Sequence, residues 1–233
     1  MKLHHNIKLF FGTLRTTSQY LDIKLEFVEK DYRITLILSR LAKSKYVDKS
    51  VFKGDTSLSK GYNIIEQFSE DVDIAIIKDN AETGNEIKTI IRNIEKEITP
   101  DLAEFQMENV TSKGSRFRKT VFEYVSADKS NQNNKLIVEI NSFDNPFPFQ
   151  PLTIKSFVFD FLMQTGNEKY IEQFGLEPFE VNVLSKEQTL LEKTISLIRF
   201  SFEENTAESI SKKIRHFYDI YFLMNNPQCA EFV

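Results

Sequence analysis

Cysteine is nearly missing from this chain: of 233 residues only Cys229 carries a thiol, tryptophan does not occur, and histidine is confined to His4, His5 and His216. A lone cysteine closes no intrachain disulfide, so the fold does not rest on bridges and a reducing compartment is expected. So near the last residue, Cys229 reads as a passive thiol beside a frayed end. No apolar run approaches the ~18 to 20 residues that span a bilayer. Met1 to Leu9 has neither the apolar stretch nor the small-residue cleavage site of a signal peptide, which points to a cytoplasmic protein with no membrane partner. Seven glycines and six prolines are too few for a fibrous or disordered chain. The formal charge of -4 argues against a globally basic nucleic-acid binder.

What is abundant is phenylalanine, with 21 copies, in a chain long enough for one large domain or two modest ones. From Leu21 to Ala42 apolar residues recur at three- and four-residue intervals (Leu25, Val28, Tyr32, Leu36, Leu41), which predicts an amphipathic helix. Ser50 to Lys53 leans to a strand, Thr56 to Gln67 to a helix and Val72 to Ile77 to an apolar strand. A second helix is predicted over Asn85 to Ile98, with Ile87, Ile90, Ile91, Ile94 and Ile98 on one side. Extended segments follow at Glu104 to Thr111, Phe117 to Val125 and Leu136 to Asn141, the last two flanking a polar loop from Ala127 to Asn134. Three prolines between Asn145 and Pro151 oppose regular structure and mark the expected domain boundary. Helices are then predicted over Ile154 to Met163, Ser185 to Phe200 and Ser211 to Met224, with Pro178 to Val183 extended. The expectation is an α+β fold, with a mixed sheet flanked by helices over residues 1–144 and a helical C-terminal subdomain over 145–233.

The chemistry concentrates between residues 51 and 74. In a strand alternate side chains share a face, so Asp71 and Asp73 point one way while Val72 and Ile74 enter the core. Two carboxylates a few Å apart repel, and a hard divalent ion relieves them, bound by carboxylate oxygens together with nucleotide phosphates and water. Mg²⁺ is the expected ion, with Mn²⁺ as substitute. Glu139, in the apolar run Leu136 to Ile140, is either a third ligand or an outward-facing acid on an edge strand. Asp-x-Asp alone occurs by chance in many proteins. Here it follows, seventeen residues after Gly54, a turn that opens a helix. Gly54 lets backbone approach closely, and the amides of Asp55 to Leu58 can cradle phosphate oxygens. Thr56 and Ser57 either add hydroxyl donors to a phosphate or serve as helix caps. Together these point to nucleotidyl transfer from a nucleoside triphosphate. Lys113, Arg116, Arg118 and Lys119 form the one basic cluster, which either meets the phosphates of an RNA acceptor or is a solvated strand face.

On these residues the chain resembles the nucleotidyltransferase superfamily and, within it, the AbiEii/AbiGii toxin family. Phe52-Lys53-Gly54-Asp55-Thr56-Ser57-Leu58-Ser59-Lys60 is similar to that family's Phe-Lys-Gly-Gly-Thr-Ser-Leu-Ser-Lys turn, and Phe68-Ser69-Glu70-Asp71-Val72-Asp73 to its acidic strand. Leu190-Leu191-Glu192-Lys193 resembles its Glu-Lys helix, and Arg215-His216-Phe217-Tyr218-Asp219-Ile220-Tyr221 its Arg-His-x-x-Asp-Ile/Leu-Tyr motif. The resemblance implies a nucleotidyltransferase-like sheet, metal ligation by Asp71 and Asp73, phosphate contacts from Gly54 and Ser57, and completion of the active site by Lys193 and Asp219. It also implies a toxin with a cognate antitoxin. A lysine at position 193 is a compact charge able to reach a triphosphate. Asp219 either orients Lys193 or the acceptor, accepts the acceptor's proton, or is a helix acid paired with Arg215; His216 is a further candidate.

Two positions depart from the pattern: Asp55 replaces the second glycine, and Gln67 an arginine. An acid ~6 Å from a phosphate charge, at an effective dielectric of ~20, costs about 3 kcal/mol, on the order of a hundredfold in affinity. Asp55 is thus expected to weaken nucleotide binding unless it turns outward or binds metal. A binding protein without turnover and a small-molecule nucleotidyltransferase of the antibiotic-modifying kind are the alternative readings.

Overall fold

Alternation decides which side of each strand is buried, and here it sorts the whole sheet into an apolar and a charged face. The computed structural model describes residues 1–66, 71–79, 82–108, 110–128, 134–143 and 145–232. Its strands are β1 (Ser50–Lys53), β2 (Asp71–Ile76), β3 (Ala103–Phe105), β4 (Ser112–Lys113), β5 (Phe117–Glu123), β6 (Lys135–Asn141), β7 (Phe149–Ile154) and β8 (Phe179–Leu184). They form one mixed sheet in the order β3-β5-β6-β2-β1-β8-β7, with β4 paired to β5. β2 lies antiparallel to β1 and parallel to β6, at the centre.

Val72, Ile74 and Ile76 of β2 and Leu136, Val138 and Ile140 of β6 pack with Phe52 against two helices, α2 (Leu25–Lys43) and α4 (Gly84–Ile98). α4 is the amphipathic helix expected from its isoleucines, and it starts in a capping box between Thr83 and Glu86. α2 begins later than its periodicity predicts. A separate helix α1 (Ile7–Leu21), which the sequence reading missed, ends at Asp22 in the left-handed conformation (φ 54°). α2 is buried on nearly all sides because it lies between two cores. Ile34, Ile37, Leu38 and Leu41 meet the sheet; Val28, Tyr32 and Leu36 meet α1 and α5 (Phe157–Gln164). Its buried charges are matched accordingly: Glu29 accepts from Ser126 Oγ and the Ala127 amide at 2.8 Å each, and Asp31 pairs with Lys60.

Several expected boundaries are corrected. The helix expected over 56–67 is α3 (Gly54–Lys60), and Gln67 with Phe68, Ser69 and Glu70 lies outside the described residues. The extended segment over 104–111 is only β3, followed by turns and β4. The proline-rich stretch is not irregular throughout: β7 pairs with β8 along its length, Pro151 facing Asn182. A proline fits there because β7 is an edge strand, with no neighbour to demand its missing N–H. The sheet therefore takes strands from both sides of residue 144, and α5 starts only at Phe157, capped by Ser156.

After β8 come α7 (Lys186–Ser201), α8 (Thr206–Ser211), α9 (Ile214–Met224) and α10 (Pro227–Phe232); α6 (Lys169–Phe174) precedes it. Leu190, Leu223 and Cys229 of this helical group pack with Leu58 and Ile65, which docks it on α3. Cys229 is thus a core residue, fully buried, and not a thiol at a loose end. Ile74, fully buried between the β1 and β6 neighbours Phe52 and Ile140, tests the central packing. Ile74→Ala is expected to cost about 2–5 kcal/mol, read as a lower denaturant midpoint at unchanged m-value.

Candidate active site

The turn between β1 and α3 fits a side chain from the next strand. Gly54 has φ +77°, and a Cβ built on it would fall 2.2 Å from Asp73 Oδ2, so both backbone and space require glycine. Thr56 and Ser57 are buried, and their hydroxyls turn inward: Thr56 Oγ1 donates to the Asp71 carbonyl, Ser57 Oγ to the Gly54 carbonyl at 2.7 Å. These hydroxyls brace the turn. The first amides of α3 have no acceptor within the helix.

Strand register builds the acidic face. Lys53 pairs with Asp73, Asp73 with Glu139, and Glu139 with Lys119, so one row across four strands reads Lys, Asp, Glu, Lys, with Asp71 two residues away on the same face. Lys119 Nζ lies 3.4 Å from Glu139 Oε2. Asp73 keeps a partly accessible edge, yet crowding by protein atoms, with Glu139, Asp71 and Asp55 as like charges, pushes its carboxyl up to about 8. A carboxyl that resists ionisation beside two other hard oxygen donors is what a divalent cation relieves. Asp71, Asp73 and Glu139 therefore fit such an ion. They do not converge into a closed three-ligand set: among the described residues only Asp55, His216 and Asp219 bring three donor atoms within 4.8 Å of one another. An ion on the sheet would take one or two of these carboxylates and complete its shell from phosphate and water.

Of the Asp55, His216 and Asp219 donors, Asp55 and Asp219 already hold a cation, the Lys193 ammonium. α7 starts at the Ser185 cap and turns Lys186, Thr189, Leu190 and Lys193 inward. Lys193 Nζ contacts Asp55 Oδ1 and lies 2.8 Å from Asp219 Oδ2 of α9. Lys193 is 5 % exposed and Asp219 fully buried. Burial alone would lower the lysine, but the charges of Asp55 and Asp219 outweigh it and raise its pKa. Asp55 is likewise pushed up by burial and brought below its usual value by Lys193. Asp219 is raised to about 6, first by burial and then by Asp55, against the pull of Lys193. Burial and the nearby Lys193 and Lys213 charges lower His216 to about 4, so its ring is neutral at pH 7.

The structure thus brings Gly54, Asp55, Asp71, Asp73, Glu139, Lys193 and Asp219 together, and Asp219 pairs with Lys193, not with Arg215. The basic cluster is divided. Arg118 points to the opposite face, onto Glu95 of α4; Lys113 pairs with Glu104 and Lys119 with Glu139. Two residues went unassigned in the sequence: Lys53 Nζ and Glu192 Oε2 form an ion pair at 2.7 Å that ties β1 to α7. Both lie inside the quoted motifs, and only the fold shows that they meet.

A sequence profile described as "Nucleotidyl transferase AbiEii toxin, Type IV TA system" matches residues 36–232. The chain belongs to this AbiEii family. No curated protein matches the sequence. Among solved structures, the fold is similar to that of MenT4, a nucleotidyltransferase toxin from Mycobacterium tuberculosis H37Rv, with a TM-score of 0.54 at 14% identity over 79% of this chain and 58% of that one. This AbiEii-family chain therefore spans little more than half the length of that neighbour. An antigenic nucleotidyltransferase-like protein from Paracoccidioides brasiliensis aligns with a TM-score of 0.38 at 16% identity, over 82% of this chain and 73% of that one. Among the described residues no helix is long and apolar enough to cross a membrane.

The raised Asp73 carboxyl has a measurable sign. Above its ordinary value of 3.8 the unfolded chain loses the proton while the folded one keeps it to about 8, so without divalent ions this residue makes stability fall as pH rises through that window. Asp73→Asn is expected to raise the Tm of the metal-free protein by several degrees at pH 8 and by less at pH 5, followed by calorimetry. Gly54→Ala should act oppositely. Its methyl meets Asp73 at a φ that alanine disfavours, which predicts a Tm loss at all pH values.

Proposed function

We propose that this AbiEii-family protein is a metal-dependent nucleotidyltransferase that moves a nucleotidyl group from a nucleoside triphosphate to an acceptor hydroxyl, as the toxin of a toxin-antitoxin pair. The observation that carries this reading is the juxtaposition of the Gly54 turn with the Asp73 and Glu139 row and the inward-facing Lys193. In the reaction the acceptor oxygen bonds to the α-phosphorus, the bond to pyrophosphate breaks, and the hydroxyl proton passes to solvent water. One or two of Asp71, Asp73 and Glu139 would hold Mg²⁺ or Mn²⁺, which would supply Lewis-acid activation of the hydroxyl and charge neutralisation on the pyrophosphate.

The chain's own groups do the rest. The glycine turn admits the phosphates close to Asp73, and the first amides of α3 donate to their oxygens. Lys193 places its ammonium on the triphosphate, and Asp219 keeps that lysine protonated and aimed from the core side. Lys53 and Glu192 fix α7 against β1, so the lysine and the carboxylates keep their spacing. For the acceptor we favour RNA, with Lys119 on the acidic face along its path; Lys113 shares the opposite face with Arg118. A cognate antitoxin is the expected protein partner.

Asp71→Ala combined with Asp73→Ala is expected to reduce Mg²⁺-dependent transfer of labelled nucleotide onto total cellular RNA to background, and to remove growth inhibition on expression. Transfer that survives in the double variant excludes this mechanism. The contact of Asp55 with Lys193 favours one second reading, a nucleotide-binding protein without turnover. Calorimetry with each nucleoside triphosphate and Mg²⁺ separates the two, since heat of binding without pyrophosphate release selects the second.

A further inference from the structure

We propose that Asp55 is a positioning residue that competes with the incoming triphosphate for the Lys193 ammonium, so that nucleotide binding proceeds by exchange of one anionic partner of that lysine for another. This rests on the nucleotide-binding reading above and concerns how the same site admits its ligand.

The placement of Asp55 leaves it little other purpose. It sits in the first turn of α3, where a carboxylate often caps the helix, but the capping position belongs to Lys53, which makes no side-chain cap, and Asp55 reaches across to α7 instead. It follows Gly54, whose missing side chain brings the turn against Asp73, so its charge lies among those that disfavour ionisation of Asp73. It is therefore the acid at the meeting point of the acidic strand and the lysine. Lys193 has two carboxylates on a single ammonium, and they differ in kind. Asp219 is fully buried and approaches from α9 behind the lysine. Asp55 is the more accessible of the two, with 22% of its side chain exposed, and lies in the first turn of α3 directly after Gly54. An ammonium can keep Asp219 and give its other donors to phosphate. A phosphate that displaces Asp55 leaves this carboxylate beside new negative charge, and the cation that accompanies a triphosphate is the means of relieving it. Exchange thus favours a ligand with more charge than one carboxylate, delivered with its metal.

The test is calorimetric titration of a non-hydrolysable nucleoside triphosphate analogue with Mg²⁺ into the wild-type chain and into Asp55→Asn, which keeps the side-chain shape. Asp55→Asn is expected to bind about a hundredfold more tightly. Lysine competition is distinguished from plain repulsion by repeating the substitution where the lysine is absent. Lys193→Met is made together with Asp219→Asn so that no buried carboxylate is stranded, with Tm recorded for each variant. In that background the gain from Asp55→Asn is expected to fall by about tenfold, what remains being the direct repulsion between Asp55 and the phosphate. A gain that is undiminished or grows without the lysine overturns the proposal, as does unchanged affinity in Asp55→Asn when wild type binds. Should neither wild type nor Asp55→Asn bind the analogue, the nucleotide reading itself fails and takes this inference with it. If the lysine-free background does not fold, the pKa of Lys193, followed by NMR of the methylated amine, decides: it should drop in Asp55→Asn, and an unmoved value refutes the competition.

Discussion

Like charges are held against one another on one face of the sheet because register leaves them no alternative. Asp73 and Glu139 are paired positions on parallel strands, and the opposite faces of those strands are committed to a core of Val72, Ile74, Val138 and Ile140. Sliding either strand by one residue would put acids into that core and valines into the site, so the apolar packing enforces the repulsion. The stability gained by burying one face therefore holds the other in a state that a cation improves.

The two parts of the chain are joined at this face by lysines, and the arrangement is reciprocal. Lys53 of the sheet reaches a glutamate of α7, and Lys193 of α7 reaches an aspartate of α3. Each ion pair crosses the junction between the β1 turn and α7. A junction built from such pairs is sensitive to charge in a way that the Leu58, Leu190 and Leu223 cluster beneath it is not.

Much of this was legible in the residues. The face shared by Asp71 and Asp73 follows from period-two alternation, α4 from its isoleucines, and the glycine turn from the need for positive φ. What local patterns could not supply were facts of tertiary pairing. The inward turn of the Thr56 and Ser57 hydroxyls depends on which carbonyls lie nearby, and the partner of Arg118, Glu95, is a residue of another element; that Arg118 and Lys119 face apart follows from alternation alone. α1 escaped because its threonines and glycine blur the apolar stripe, which is buried only at Phe10, Leu14 and Thr17. Proline at 151 misled for a related reason. It opposes a central strand, and only the sheet order shows that β7 is not central.

That edge position has a consequence for how the molecule meets copies of itself. An edge strand normally offers a ladder of amide donors to any extended segment that passes, the usual start of intermolecular sheet growth. With Pro151 in the middle of β7 the ladder lacks a rung, so an incoming strand would find its pairing interrupted on that side. The same residue that disguised the strand in the sequence thus guards the border of the folded sheet.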